Sequence, residues 1–435
     1  MAGSETNLQD VTSIDQRLAG LMFPIGFLYI WLIRPVARTV YLALYLPVGI
    51  IRIYESILEN LPWAVGTLVT NPTGLFSPVF LKRVRKFKTL RRGYLSFLIL
   101  SIGYGTSFLS ELLVNDRALV VHYEGETYFP AFADKKYRNK DFGITKGSFR
   151  LTDFRELKTQ IDEENAEKRE ANGGKPAPGE NYVILPPYPY GPNENLLGLL
   201  EGNPPHSPSR HHWLGTDDRG RDVFARLVYG FRISVSFGLL VTLFSYFIGI
   251  IMGGCLGYYG GRVDMLGLRL VEIWSAIPFL YAVMILAAIL IPSFGLLALI
   301  LSIFGWMGIT YYVRGEFLRE KSRDYVAAAT SIGLSDGTII FKHILPNSLT
   351  PVISFAPFAI LTNIISLVSL DFLGFGLPPP TPSWGELLGQ GLSNLDKPWL
   401  VFSPMTALFI TLLLISFIGE ATREAFDPKV YSRLR

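Results

Sequence analysis

Apolar positions in this chain are gathered into long blocks, separated by stretches rich in charge. A helix crosses the roughly 30 Å hydrocarbon layer of a membrane with about 20 apolar residues. Four blocks exceed that length without any Lys, Arg, Asp or Glu, and they occupy residues 233–261, 273–313, 344–370 and 398–419. A Pro-Ser-Phe-Gly break divides the longest block, so it predicts two spans. The pattern therefore predicts five spans within a core of residues 231–424.

A sixth span is predicted at the start of the region 93–114, because an apolar stretch, residues 93–110, follows a basic segment at 82–92. Short basic flanks stay in the cytoplasm, so this span leads outward. Region 1–92 is ambiguous, since its two apolar runs, 18–33 and 39–51, are short. They predict either a hairpin of two spans or amphipathic segments in the interface. A cleavable signal peptide is not expected.

A large polar insertion, residues 115–230, separates the first span from the core. Aromatic and β-branched residues over 120–132 surround Glu124-Gly125-Glu126 and predict a short hairpin. Residues 134–172 are highly charged and predict a helix or partial disorder. A Gly- and Pro-rich connector follows at 173–179.

Composition supports a membrane protein. Asp, Glu, Lys and Arg make up 17% of the 435 residues, against about 25% in soluble domains, which excludes an ordinary soluble enzyme. Basic residues mark the loop 314–342 as cytoplasmic, and the more acidic loop 371–400 lies outside. The C-terminal tail, 425–435, then returns to the cytoplasm. The net charge of +4 is no nucleic-acid signal, because the basic residues flank apolar segments.

Several polar residues are candidates for chemical sites. The three histidines of the Pro- and Ser-rich segment, His206, His211 and His212, lack convergent metal-ligand spacing and are expected in a solvated loop. Asp217, Asp218 and Asp222 are expected to pair with Arg219 or Arg221, or to cap the next helix. Within the block 344–370, the polar residues predict either helix-to-helix hydrogen bonds or a translocation path; they are Thr362, Asn363 and Ser366.

The cytoplasmic segment 324–347 predicts a helix, a break and a second helix. Small residues favour a short first helix, and Gly333 can end it. Ser335 or Asp336 can cap the second helix, and Pro346 separates it from the following span. On the residues alone, an ordinary amphipathic loop between spans explains the segment equally well.

This segment resembles the EAA loop of ABC-importer permeases, in which Glu-Ala-Ala is followed by Gly and then by Leu-Pro. The matching positions are Ala328, Ala329, Gly333, Leu345 and Pro346. Ala327 replaces the glutamate, which weakens an electrostatic role but keeps a small-residue surface. The resemblance implies that this loop forms a coupling helix in a groove of the ATPase subunit.

Further segments resemble the OppC and DppC class of peptide importers. They are His212–Val223, Asp371–Pro380, Ser383–Glu386 and Phe426–Pro428, and together they span about half the chain. The segments Ser110–Leu112 with Asn115-Asp116, and Tyr123–Glu126 with Tyr128–Pro130, resemble the Yej-type permeases within that class, whose relatives import oligopeptides and peptide antibiotics of the microcin C kind. The first 80 residues depart from that pattern.

The resemblance implies an all-α polytopic membrane protein with the type I ABC-importer permease fold, six transmembrane helices, an extra N-terminal hydrophobic region and the extracytoplasmic insertion. It implies a permease subunit in the bacterial inner membrane, without catalytic residues, metal or cofactor of its own. ATP and Mg are expected in partner ATPase subunits, because no phosphate-binding loop sequence is present. A second homologous permease, an extracytoplasmic substrate-binding protein and a peptide substrate complete the expected partners.

Two other classes of function stay open from the residues. A secondary transporter or channel would predict carboxylates or rings of charge at the membrane centre, and the apolar blocks contain none. A non-transporting membrane scaffold would use the insertion 115–230 for binding. Copurification with ATPase subunits separates both alternatives from an importer.

Overall fold

The computed structural model describes residues 78–427, except 134, 145–147, 173–174, 176–179, 198–199 and 291. The predictions for the apolar runs 18–33 and 39–51 lie outside the described residues. The chain divides into two compact units, of which one comprises residues 77–331 with 342–435 and the other includes residues 332–341.

The elements before the core form a short helical lead and a small sheet. The helices are α1 (Pro78–Thr89), α2 (Arg91–Ser107), α3 (Ser110–Leu113) and α4 (Phe154–Ala171), and the strands are β1 (Val120–Tyr123), β2 (Glu126–Tyr128) and β3 (Tyr182–Ile184). A 3-10 helix spans Asn139–Phe142. Helix α1 is strongly basic and packs on the last helix of the core through Lys86 Nζ, which donates to the carbonyl of Glu424 at 2.9 Å.

The core begins with α5 (Val223–Tyr259), followed by α6 (Gly261–Ser275), α7 (Phe279–Ile289), α8 (Phe294–Gly305) and α9 (Met307–Lys321). The remaining helices are α10 (Asp324–Ser331), α11 (Asp336–Thr338), α12 (Leu345–Ser348), α13 (Thr350–Phe372), α14 (Trp384–Ser393) and α15 (Trp399–Phe426). A π-helix, Ile339–Ile344, lies between α11 and α12.

Helices α5, α13 and α15 are each long and apolar enough to cross a membrane. Two further spans are bent: α6 and α7 meet at 69°, and α8 and α9 meet at 45°. The described residues therefore contain three such helices, or five spans if each bent pair is one. The predicted sixth, outward-leading span corresponds to α2, whose 17 residues reach only about 26 Å as a helix. The count of six is not confirmed.

Glycines allow α5 and α9 to pack backbone to backbone. A Cβ built on Gly253 would lie 2.6 Å from the carbonyl oxygen of Thr310, and one on Gly257 would lie 2.7 Å from that of Arg314. Larger side chains at these positions would force the helices apart. Gly249, Gly253 and Gly257 recur every four residues along α5, a spacing that places them on the face packed against α9.

A hydrophobic cluster joins α5, α7, α8 and α13 in the core. Its fully buried members include Phe237 and Val241 of α5, Val283 of α7, and Leu297 of α8. Leu367 contributes from α13. Apolar side chains thus hold the broken spans against the two long helices that line the membrane cavity described below.

The insertion has a small fold of its own. Strands β1 and β2 form the predicted hairpin around Glu124 and Gly125, both with positive φ, and β3 pairs antiparallel with β1 on its other side. Helix α4 packs on this sheet over a core that contains Val121, Phe142 and Leu157. The expectation of an all-α protein is therefore correct for the core but not for the insertion, where β-branched and aromatic residues form a three-stranded sheet.

Candidate functional site

The segment that matches the EAA loop has a helix, a break and a second helical stretch. Helix α10 carries Ala328 on its exposed side and Ala329 on its buried side. Gly333 follows with a φ of +80°, a conformation that glycine adopts without steric cost. The Ser335 hydroxyl then caps α11 by accepting from the amide of Thr338.

The end of the same segment differs in detail from the sequence prediction. Leu345 and Pro346 begin the single turn of α12, and only Leu349 separates this turn from α13. Pro346 therefore occupies the start of a helix, where its missing amide hydrogen costs nothing, rather than a break between helices. The hydroxyl of Tyr325 in α10 lies 2.9 Å from Glu320 Oε2 and 3.4 Å from the carbonyl oxygen of His343. Tyr325 therefore links the end of α9 to the second half of the loop.

Two of the three predicted translocation residues line a membrane cavity of about 290 Å³ between α5, α9 and α13. Thr362 and Asn363 line this cavity, together with aromatic side chains that include Tyr246, Tyr312 and Phe358. Ser366 is not among the lining residues, and its hydroxyl donates to the carbonyl of Thr362 at 3.0 Å. Two of the three residues are thus brought to one cavity.

Asn363 also makes the helix-to-helix hydrogen bond that the sequence left as an alternative. Its Nδ2 donates to the Thr242 hydroxyl oxygen at 2.9 Å, and that hydroxyl donates to the carbonyl of Gly238 at 2.7 Å. An amide on α13 is thereby held against α5 at the cavity wall. Asn363 therefore lines the cavity and also bonds to α5, and its role in a translocation path stays a prediction.

A buried cluster of charges joins the N-terminal end of α5 to α14. Arg226, whose side chain is fully buried, pairs with Glu386 and lies 3.6 Å from Asp217. Arg221 binds Asp217 at 2.7 Å and Glu386 at 3.0 Å. Although burial opposes its charge, these two carboxylates hold the pKa of Arg221 above its usual range. The cluster fixes the loop before α5 to α14.

The aspartates before α5 have the structural roles that the sequence predicts. Asp217 pairs with Arg221, and Asp222 caps α5 by accepting from the amide of Ala225 at 2.8 Å. Asp222 also accepts from the hydroxyl of Tyr188 at 2.7 Å. Burial and the Asp222 carboxylate raise the pKa of Tyr188 above its usual range, so the phenol stays a neutral donor.

The prediction that the histidines of the same region lie in a solvated loop is only partly correct. His212 is 5% exposed, and its Nδ1 lies 2.8 Å from Asp222 Oδ2, so it belongs to the buried network rather than to a solvated loop. In the part of the chain that the structure describes, no cluster of three or more His, Cys, Asp or Glu side chains is arranged to hold a metal ion.

Sequence reasoning missed the link from Arg226 to Glu386. The available signal is an arginine in the first turn of a long apolar helix, which needs a partner once it is buried. That partner lies 160 positions further along the chain. A single sequence does not pair residues over such a distance.

Comparison with known proteins assigns the family. Residues 245–432 match the family described as binding-protein-dependent transport system inner membrane component. The chain is 43% identical to the inner membrane ABC transporter permease protein YejE of Escherichia coli over 355 residues, which is 81% of this chain and 98% of that relative. The chain therefore belongs to the family of ABC-transporter permeases that this description names, and it is a multi-pass inner membrane protein rather than an enzyme.

Within that family, the resemblance to Yej-type permeases of the OppC and DppC class is confirmed. The peptidoglycan transport system permease protein YejE of Agrobacterium fabrum is 40% identical over 391 residues, covering 85% of this chain and 98% of that relative. The dipeptide transport system permease protein DppC of Bacillus subtilis is 36% identical over 234 residues, covering 53% of this chain and 72% of that relative. The family description and the names of these relatives imply ATPase and binding-protein partners.

Proposed function

We propose that this chain is the transmembrane permease subunit of an ATP-driven importer of oligopeptides, including peptides of the microcin C kind. The observation that carries this proposal is its 43% identity to a YejE permease across 98% of that relative. The family resemblance supplies the rest of the complex. A second homologous permease, ATPase subunits that bind ATP and Mg, and an extracytoplasmic substrate-binding protein act with this chain, whose C-terminus is cytoplasmic.

In this proposal the loop 324–347 transmits the ATPase motion. Ala328 presents a small exposed side chain on α10, which permits close approach of a partner helix or groove. Gly333 gives the loop its sharp turn at positive φ. Ala329, Leu345 and Pro346 are proposed to belong to the same coupling loop surface. Closure of the ATPase subunits on ATP moves this loop, and the core helices then rock between outward-open and inward-open states.

The cavity between α5, α9 and α13 contributes this chain's part of the peptide path. Thr362 and Asn363 offer hydroxyl and amide groups beside aromatic walls, a lining that suits peptide bonds without demanding one sequence. Ser366, one turn away on α13, is proposed to lie along the same path when the helices rock. The homologous partner permease supplies the opposite wall.

The experiment is purification of the tagged full-length chain from its native membranes, followed by ATPase and peptide-uptake assays on the reconstituted complex. Ala328→Trp adds bulk to the exposed face of α10 without changing a positive φ. We expect this variant to insert and assemble normally but to lose peptide-stimulated ATP hydrolysis and uptake. Gly333→Trp is expected to act in the same direction, with added backbone strain.

Gly315→Trp is the matched control, because Gly315 of α9 is exposed and a Cβ built on it meets no atom within 4 Å. Its uptake is expected to stay near wild type. Unchanged uptake by Ala328→Trp and Gly333→Trp contradicts the coupling role. Purification without any ATPase subunit, or uptake that does not need ATP, contradicts the proposed function itself.

A further inference from the structure

The insertion contains a second cavity, much larger than the one in the membrane. It measures about 1270 Å³ and lies between the insertion and the ends of α3 and α5, where Glu111 and Tyr229 form part of its wall. The other walls come from the loop after α3, the segment before α4, the first turns of α4 and the loop after β3. Pockets for small molecules typically have volumes of about 300–1,000 Å³, so this cavity has room for a short peptide.

Charged groups of both signs line this outer cavity. Arg117, Lys136 and Arg150 are the basic members, and Asp116 and Glu156 are acidic. Among the described residues, Lys136, Arg150, Asp116 and Glu156 form no ion pair, whereas three other cavity carboxylates, Glu111, Asp153 and Glu194, pair with Arg232 or Arg155. Fixed pairs hold the cavity together, and a second set of charges stays available to a ligand.

The cavity wall also holds a buried hydroxyl without a partner. Thr152 is 9% exposed, and its Oγ1 has no hydrogen-bond partner although the atom is buried. A buried hydroxyl without a partner destabilises the fold, so its retention calls for a partner. Thr152 lines both the outer cavity and an adjoining chamber of about 110 Å³ that shares Asp116, Arg117 and Lys136.

We propose that this outer cavity binds a short zwitterionic peptide, with its carboxylate at Arg150 and Lys136, its ammonium group at Glu156 and Asp116, and a backbone group at the hydroxyl of Thr152 once that side chain rotates toward the cavity. The peptide identity rests on the proposed function. The concave shape favours a small ligand, because a docked protein surface does not need an enclosed polar volume. The site receives the peptide at the outer face before the peptide reaches the membrane cavity.

The test is calorimetric titration of the purified full-length chain in lipid nanodiscs with trialanine. N-acetyl-trialanine and trialanine amide serve as probes that each lack one terminal charge. Hydrogen bonds to charged groups contribute about 1.5–3 kcal/mol, so each blocked peptide is expected to bind about tenfold more weakly or worse. Equal binding of the free and blocked peptides overturns the zwitterion assignment.

Variants locate the binding. Thr152→Val removes the unpartnered hydroxyl while keeping the shape of the side chain, and Arg150→Gln removes one cation. Each is expected to weaken trialanine binding about fivefold to tenfold. Thr152→Val is also expected to leave the thermal unfolding midpoint unchanged or higher, a combination that a purely structural role for Thr152 does not produce. Lys168→Gln is the control, because Lys168 of α4 is exposed and does not line the cavity.

Absence of trialanine binding, or binding that Thr152→Val and Arg150→Gln leave unchanged, overturns the outer peptide site. Uptake of trialanine by cells with and without the chain is measured separately. If uptake depends on the chain and both variants still take up and bind trialanine like the wild type, the outer peptide site is contradicted but the proposed function is not. Uptake that does not depend on the chain contradicts the proposed function instead.

Discussion

The buried pair between Arg226 and Glu386 allows a quantitative test of how α5 and α14 are held together. Arg226→Met removes the guanidinium and retains most of the apolar stem. Glu386 is left with Arg221 at 3.0 Å and the half-exposed Arg219 at 3.5 Å. The carbonyls of Pro192 and Thr381 each lose a donor, which stood at 3.1 Å and 3.4 Å.

Breaking a buried ion pair typically costs 3–5 kcal/mol. Because Glu386 keeps two other cationic partners, we expect the lower end, about 3 kcal/mol of unfolding free energy. Lys168→Met is the matched control: its i,i+4 partner Glu164 lies 3.8 Å away and both side chains are more than half exposed. Such surface pairs contribute about 0.3–0.5 kcal/mol.

The assay is urea unfolding of the purified chain in mild detergent, followed by the tryptophan fluorescence. With a slope of about 3 kcal/mol/M, the midpoint of Arg226→Met is expected to fall by about 1 M. Glu386→Gln and the double variant complete a double-mutant cycle, in which the coupling energy is expected to exceed about 1 kcal/mol. A midpoint equal to that of Lys168→Met, or strictly additive effects, would refute the reasoning.

Three other predictions concern packing, the membrane cavity and a helix cap. Gly253→Ala is expected to destabilise the chain by about 1–3 kcal/mol in the same urea assay, because its Cβ would meet the backbone of α9 at 2.6 Å. The control Gly315→Ala, whose Cβ meets no atom within 4 Å, is expected to stabilise the chain by about 0.5–1 kcal/mol. Equal effects of the two substitutions would contradict the packing account. Asn363→Leu removes the bond to Thr242 and is expected to lower peptide uptake more than it lowers the unfolding midpoint, whereas unchanged uptake would remove Asn363 from the path. Ser383→Ala is expected to cost about 2 kcal/mol, because the hydroxyl caps α14 and donates to Asp371 at 2.5 Å; an unchanged midpoint would show that water replaces both contacts.

The sequence predicts the elements whose causes are local. Long blocks without charge predict α5, α13 and α15, and the Pro-containing break before residue 295 predicts the division between α7 and α8. Small and turn-forming residues likewise predict that α10 ends before Gly333. In each case the cause lies within one helix length of its effect.

Features that depend on distant contacts were not predicted from the sequence. The third strand, β3, pairs with β1 from about 60 positions away, because both sides of β1 offer free backbone groups. The bends between α6 and α7 and between α8 and α9 were not predicted either, because a hydropathy pattern carries no information on the direction of consecutive helices.

Prediction of the candidate site from the sequence is limited in the same way, because it also depends on distant contacts. As polar residues in an apolar block, Thr362 and Asn363 are predicted candidates for a translocation path, and they line one cavity. Ser366 was selected on the same ground, but its hydroxyl bonds to its own helix. Which polar side chains face a cavity depends on the rotation of α13 against α5, and that rotation is set by packing rather than by residue type.

ATP-dependent uptake of a labelled peptide by proteoliposomes, containing the complex purified through a tag on this chain, tests the central claim most directly. The account predicts that peptide accumulates only when ATP and Mg are present on the ATPase side, and that Ala328→Trp abolishes this accumulation while Gly315→Trp does not. Peptide accumulation at the same rate without ATP, or with Ala328→Trp in place of the wild-type chain, would contradict it.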